Sequence, residues 1–218
     1  LDWILSVAQT INGWGGAVRP VMTPQIEVLP LISLGAILLI VWQGRFRWAG
    51  LVPLVAASVL WLNAERPDIL VAEGGALVGV MTPDGRALSR EKGSGFIARV
   101  WLENDGQGWD QAEAARRWQA NAPLAIRHIH GKRAAAAFSG CVSGELVIAS
   151  AVLPDVTQAS DCTLFQPEDL KETGSLAITR TDTGYSIEKA RDRSGARLWN
   201  DKAVRDAQYV RIRPTKRP

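Results

Sequence analysis

Histidine and cysteine are scarce in this chain of 218 residues, which has two of each. A catalytic zinc site needs three protein ligands, so histidine alone cannot complete one here. Neither cysteine has a second cysteine at the two-to-four spacing of a zinc knuckle. The chain also lacks a Gly-x-Ser-x-Gly elbow, a Walker-type loop and a Rossmann glycine pattern. We therefore expect a protein that is not an enzyme and that carries no metal or other cofactor.

Charge is scarce in the first third of the chain, where two runs, 28–44 and 48–64, contain no charged residue. Each run is close to the length that crosses a bilayer core. Both are apolar on all sides, and tryptophans stand at their ends, where the membrane interface favours them. The pattern predicts a transmembrane helical hairpin over 26–62. The alternative is a pair of buried core helices in a soluble domain.

The orientation of this hairpin follows from four arginines. Arg45 and Arg47 lie in the short connection, and Arg19 and Arg66 flank the outer ends. Positive charge concentrated in a very short loop favours the cytoplasmic side for that loop. We therefore expect a multi-pass membrane protein whose chain ends, including the soluble domain that follows, lie on the outer face.

The segment ahead of the hairpin has helical periodicity. Its apolar residues share one face and glycines end the pattern; they are Trp3, Ile4, Val7, Ala8, Ile11 and Trp14. Over 1–18 we predict an amphipathic helix lying in the membrane interface. An ordinary helix packed on upstream parts of a longer protein is the alternative.

From residue 67 to residue 200 short apolar runs alternate with turns, which predicts a soluble domain of α/β or α+β class with a mixed sheet. We expect a strand hairpin at 68–81, a third strand after the turn 82–85, and helices at 95–104 and 110–120. The segment 124–130 reads as a strand that turns at Gly131 and Lys132 into a second strand. Further strands follow at 145–153 and beyond, and 201–218 is a basic tail.

Cys141 and Cys162 are candidates for a disulfide that would close a loop worth about 3 kcal/mol. Such a bridge needs an oxidising compartment, which the preferred orientation provides. Two reduced, buried cysteines are the alternative.

His128 and His130, two apart on a strand, point to one face and raise the question of a metal site. No third histidine exists, and Lys132 and Arg133 bring positive charge close by. We expect structural histidines and no metal. Arg127, Lys132 and Arg133 are candidate phosphate contacts, although a solvated surface explains such residues as well.

The order of features resembles the C-terminal portion of ComEC-type competence proteins, in the shorter-tailed form of alphaproteobacteria. The most specific parts of the match are "RPDILVAEGGALVGVMTPDGRALS" and the stretch from Cys141 to Asn200. The resemblance covers nearly the whole chain. It rests on the order of the segments and on their general composition, and no catalytic motif contributes to it. It implies an inner-membrane, multi-pass channel for single-stranded DNA in natural transformation, with a reduced metallo-β-lactamase-like domain on the periplasmic side. Where metal-bearing relatives have aspartate and histidine in His-x-His-x-Asp-His, this chain has Lys132 and Arg133.

The resemblance implies partners and leaves other functions open. Because the chain begins at Leu1, we expect a fragment of a longer or processed protein. Its expected partners are the membrane, single-stranded DNA through the full-length channel, other competence proteins and a second copy of itself. Two alternatives are a metal-dependent hydrolase that uses His128 and His130, and a membrane-tethered interaction module unrelated to DNA.

Overall fold

The computed structural model describes residues 2–14, 20–118, 126–154, 162–181 and 184–195. They form two compact units, one within Leu1–Arg66 and Arg99–Trp109 and the other within Pro67–Ala98 and Asp110–Pro218. The fold is a mixture of helices and strands, as the sequence predicts. Residues 99–109 belong with the apolar first unit, whereas the sequence assigned them to the soluble domain. The basic tail 201–218 lies outside the described residues.

The first unit begins with helix α1, Asp2–Asn12. None of its residues is buried, and its apolar side chains stay exposed, among them Trp3 and Ile11. The helix ends where Gly13 donates its backbone N–H to the carbonyl of Gln9. Of the predicted segment 1–18, residues 15–19 lie outside the described part of the chain.

Two apolar helices, α2 at Val28–Val41 and α3 at Leu51–Leu62, pack against each other in the first unit. Glycine allows the close approach: a Cβ on Gly35 would lie 2.7 Å from the carbonyl oxygen of Gly50. That Cβ would also lie 2.6 Å from the side chain of Leu54. The connection is not the simple turn that the sequence suggests, because Arg45–Gly50 form a 3-10 helix that leads directly into α3.

Of the described helices, one is long and apolar enough to cross a membrane, the continuous segment Arg45–Leu62. Only 11% of that segment is buried. Helix α2 is apolar but shorter, and its 14 residues rise about 21 Å. Ile37 and Val55 are 57% and 61% exposed, so neither residue belongs to a protein core.

A polar cluster closes the first unit beyond α3. The indole Nε1 of Trp61 donates to the carbonyl of Met22 at 2.8 Å, and Met22 forms a β-bridge with Asp105. The Arg66 guanidinium donates to the carbonyls of Thr23 and Asn104. Arg66 also lies 3.7 Å from the carboxylate of Asp105, which is 4% exposed. These contacts join the chain before α2 to the residues around 105.

The second unit contains a five-stranded antiparallel sheet in the order β3-β2-β1-β7-β8. Its strands are β1 Ile69–Val71, β2 Val78–Thr82, β3 Gly85–Leu88, β7 Leu176–Thr181 and β8 Gly184–Lys189. The predicted hairpin at 68–81 is confirmed by the pairing of β1 with β2, and the third strand by β3. A core of Ile69, Val71, Val78, Val80, Ile148, Leu170, Leu176 and Ile178 holds this unit together.

The second sheet is parallel and has three described strands: β4 at Ile126–Ile129, β5 at Leu146–Ala149 and β6 at Thr163–Phe165. Short helices accompany the sheets: α5 Gln111–Arg116, α6 Gly131–Ala136, α7 Pro167–Thr173 and α8 Ala190–Ser194. Helix α4, Gly95–Asn104, matches its predicted bounds. Asp110 caps α5 as predicted, accepting the backbone N–H of Glu113 at 2.7 Å.

The predicted hairpin around Gly131 is wrong. Gly131 has the positive φ of a turn, +84°, but the chain then enters α6 and not a second strand. Four consecutive alanines, 134–137, follow, and alanine is the best helix former, so this segment folds as a helix over most of its length. Because a helix separates β4 from β5, the two strands pair in parallel.

Candidate functional site

The parallel sheet brings polar residues together at the carboxyl ends of its strands. His128 lies within β4 and His130 directly after it, while Ser150 follows β5 and Gln166 follows β6. Parallel strands end at one edge, and in open α/β sheets that edge is where ligands bind. We therefore treat this edge as the candidate site.

His128 is held by the segment that follows β1. Its Nε2 atom lies 2.9 Å from the carbonyl oxygen of Gly75. Since a carbonyl only accepts, Nε2 carries the hydrogen. Only glycine fits at position 75, because a Cβ there would lie 2.6 Å from the carbonyl oxygen of Ala149. Burial lowers the pKa of His128, and the charges of His130 and Arg90 lower it further, against the raising effect of the Gly75 bond.

His130 is exposed and bonds to Ser150, whose Oγ lies 3.0 Å from Nδ1. The backbone N–H of Gly131 donates to the same Oγ at 2.9 Å. A hydroxyl oxygen has a second lone pair, so Ser150 Oγ either donates to Nδ1 or accepts from Nδ1–H, and both arrangements are compatible with a neutral ring. Burial and the charge of Arg90 lower the pKa of His130 and favour this neutral form.

The two imidazole rings share one side of β4, with centroids 5.9 Å apart. The two-residue spacing predicts this proximity. No group of three or more His, Cys, Asp or Glu side chains among the described residues is placed to hold a metal ion. Each ring instead has one nitrogen committed to a neighbour in the protein.

The three candidate phosphate contacts do not form one cluster. Arg127 points to the other side of β4 and pairs with Glu145 through two bonds, Nε–Oε1 at 2.7 Å and Nη2–Oε2 at 2.6 Å. It also lies over the Phe138 ring. Lys132 and Arg133 are exposed on α6, and neither pairs with a carboxylate among the described residues.

Glu145 belongs to a structural network. Burial works against its charge, but the bonds from Arg127 and from the backbone N–H of Val142 prevail and lower the pKa of the Glu145 carboxyl. The pair fastens the start of β5 to β4. The structure thus gives Arg127 a protein partner, the Glu145 carboxylate.

Cys141 and Cys162 are bonded to each other in the structure. Both pack against an apolar cluster under the parallel sheet, made of Ile129, Ala135, Phe138, Val147, Ala149 and Leu153. Cys162 lies immediately before β6, so the bridge ties this three-residue strand to the segment after α6. This is a structural role for both cysteines.

Arg90 is a residue of this site that sequence reasoning missed. Its Nη1 donates to the carbonyl of Ala76 at 3.1 Å, next to the Gly75 carbonyl that receives His128. No ion pair joins it to a carboxylate among the described residues, and its charge acts on both histidines. The sequence around position 90 does not indicate that this side chain lies near the histidines. Its position depends on β3 lying in the sheet.

The described residues define a mixed α/β unit with a structural disulfide, together with a unit of exposed apolar helices. No protein-family model matches the chain, and no curated protein or solved structure matches it either.

Proposed function

We propose that this chain is the C-terminal portion of a multi-pass inner-membrane protein for uptake of single-stranded DNA, with a non-catalytic periplasmic domain. The observation that carries the membrane part is the exposed apolar surface of α2 and α3. Ile40, Val52 and Leu62 are 81%, 71% and 87% exposed, which is unfavourable in water at about 25 cal/mol per Å². A lipid environment removes that penalty.

The lengths of the two helices support a membrane hairpin in which one helix is shorter than the bilayer core is thick. Arg45–Leu62 has 18 residues and reaches about 27 Å, close to a hydrocarbon core of about 30 Å. Helix α2 is shorter, so local thinning of the bilayer or extension by neighbouring apolar residues would be needed. Trp42 and Trp48 flank the connection, at the level where aromatic rings favour the interface.

Two independent features support the same orientation. Arg45 and Arg47 in the connection favour the cytoplasmic side for that connection. A two-helix hairpin then leaves the second unit on the opposite side. The Cys141–Cys162 bridge requires an oxidising compartment, and for a bacterial inner-membrane protein the periplasm is one.

The DNA-uptake part of the proposal comes from the ordered resemblance to ComEC-type proteins. The non-catalytic role is supported by Lys132 and Arg133, which stand where metal-bearing relatives have aspartate and histidine. From the same resemblance, and because these two ligand positions are changed, we propose a reduced metallo-β-lactamase-like fold for the second unit. A second copy of the chain and other competence proteins are its proposed partners.

Deletion of the whole gene in the source bacterium tests this function. We expect loss of transformation and of uptake of labelled DNA, with recovery when the gene is returned on a plasmid. Unchanged uptake of labelled DNA in the deletion strain would contradict the proposal.

The orientation has its own test, in which alkaline phosphatase, active only outside the cytoplasm, is placed at two positions of the chain. Fusion after residue 195 should give an active enzyme, whereas insertion at Gly44 should give an inactive one. The reverse pattern would show that the hairpin is inverted while leaving the uptake function open.

A further inference from the structure

We propose that Arg90 and His130, the latter held by Ser150, form a phosphate-binding site at the carboxyl edge of the parallel sheet. The proposal goes beyond the uptake function, because the site stands whether its phosphate belongs to a nucleic-acid strand or to a smaller molecule. It gives a ligand class to an edge whose other contacts are structural.

The geometry gathers the donors. The guanidinium of Arg90 and the ring of His128 bond to consecutive carbonyls, those of Ala76 and Gly75. The His130 ring centroid lies 5.9 Å from that of His128. Arg90 and the two imidazoles therefore occupy one small region, on the side of β4 away from the Arg127–Glu145 pair.

Arg90 has hydrogen-bond donors beyond the one that it uses. Arginine has five N–H groups, and Arg90 makes one side-chain hydrogen bond among the described residues. Because His130 Nδ1 bonds to Ser150, Nε2 of this exposed ring is directed elsewhere, and it is an N–H donor whenever the ring is protonated. An oxyanion is the ligand that such donors recognise.

The charges of the site point the same way. The neighbouring charges that act on His128 and His130 are positive, and they lower the pKa of both rings. Lys132 and Arg133 lie two and three positions after His130 in the chain and are exposed. A carboxylate offers one charge and two oxygens. A phosphate offers more charge and oxygens in several directions, which fits donors that come from the end of β4 and from the segment after β3.

The first experiment uses the full chain in nonionic detergent and follows the imidazole NMR signals during a pH titration. The chain has only two histidines, so assignment needs a single His128→Gln sample. Inorganic phosphate should raise the pKa of His130 relative to chloride at the same ionic strength, because a bound anion stabilises the imidazolium. Arg90→Gln should abolish this response.

The matched control is Arg180→Gln, which removes the same charge from the exposed end of β7. In the register of β1 with β7, Leu176 lies beside Val71 and Ile178 beside Ile69, so Arg180 lies toward the end away from Gly75. Arg90→Lys separates loss of charge from loss of the planar fork. Circular dichroism of each variant establishes that it is folded.

The second experiment identifies the source of the phosphate. A fluorescent single-stranded oligonucleotide should bind about tenfold more weakly to Arg90→Gln and to His130→Gln than to wild type, as expected for loss of a charge-assisted bond. Glycerol 3-phosphate, which carries a lipid headgroup phosphate, is the comparison ligand. If it and inorganic phosphate raise the His130 pKa but the oligonucleotide does not bind, the site stands and takes a small or lipid phosphate.

The inference is overturned if neither phosphate ligand raises the pKa of His130 in a folded wild-type sample. It is also overturned if Arg180→Gln weakens oligonucleotide binding as much as Arg90→Gln does, since general positive charge would then explain the binding. Neither result bears on the deletion phenotype, so the uptake function is tested separately.

Discussion

Removal of the Cys141–Cys162 bridge should destabilise the second unit by about 3 kcal/mol, the chain-entropy value for a loop of this size. The two cysteines are 21 positions apart, and the loop contains the whole of β5. Strand β6 begins one residue after Cys162, has only three residues and pairs with a single described strand, β5. We therefore expect Cys141→Ser and Cys162→Ser to loosen β6 first.

Either single substitution breaks the same bond. The stability of the double variant should therefore lie within about 0.5 kcal/mol of that of the single variants. The serine hydroxyl would lie against an apolar cluster that includes Phe138 and Leu153. Reduction of the wild type, which keeps both sulfur atoms, separates this packing effect from loss of the bond. Ser139→Ala, an exposed change close by, is the control.

The assay is urea unfolding of the full chain in detergent, followed by far-ultraviolet circular dichroism. With a slope of about 1–3 kcal/mol per molar urea, the midpoint should fall by about 1–3 M. Alkylation and mass measurement of the unreduced protein report its free thiols. Two free thiols in folded protein, or a midpoint that reductant leaves unchanged, would refute the reasoning.

Three further predictions concern single side chains. Gly35→Leu should separate α2 from α3 because of the close approach to Gly50, and crosslinking between cysteines introduced on the two helices should fall. Glu145→Gln should remove about 1 kcal/mol at pH 7, a value kept small because Arg127 is 41% exposed. Since the pKa of Glu145 is lowered on folding, wild type should lose this advantage as the pH falls through that lowered pKa, and urea midpoints of the two proteins should then converge. The pKa of His128 is also lowered, so its contribution is full above about pH 6.5 and is lost as the pH falls below that; His128→Gln should flatten the stability profile below about pH 6.5.

Local signals were enough to predict the first strands and helix α4. The turn 82–85 joins β2 to β3, and the change from two-residue to helical spacing marks α4. Each of these signals lies within about ten residues and involves no distant partner. The sequence could not show that Arg86 of β3 is completely buried, with its Nη2 donating to the Pro67 carbonyl. That contact exists only once three strands are in register.

The misassigned segment after His130 shows a conflict between two local signals. Gly131 suggested a turn between strands, and it does adopt a turn conformation. The alanines that follow have high helix propensity, and they decide the structure. The consequence extends beyond α6: a hairpin would have made the neighbouring strands antiparallel, whereas the helical crossover makes them parallel and gives the sheet a common carboxyl edge.

The fate of the two histidines depended on residues that sequence spacing cannot locate. Spacing correctly put both rings on one side of β4, which is the arrangement that a metal site would also use. Their partners come from far along the chain: Gly75 is 53 positions from His128, and Ser150 is 20 positions from His130. These partners leave each ring one remaining nitrogen, and Arg90 adds positive charge, which repels a cation and attracts an anion. A His-x-His pair on a strand therefore fixes where two rings lie, while the loops at the strand ends determine which ligand they favour.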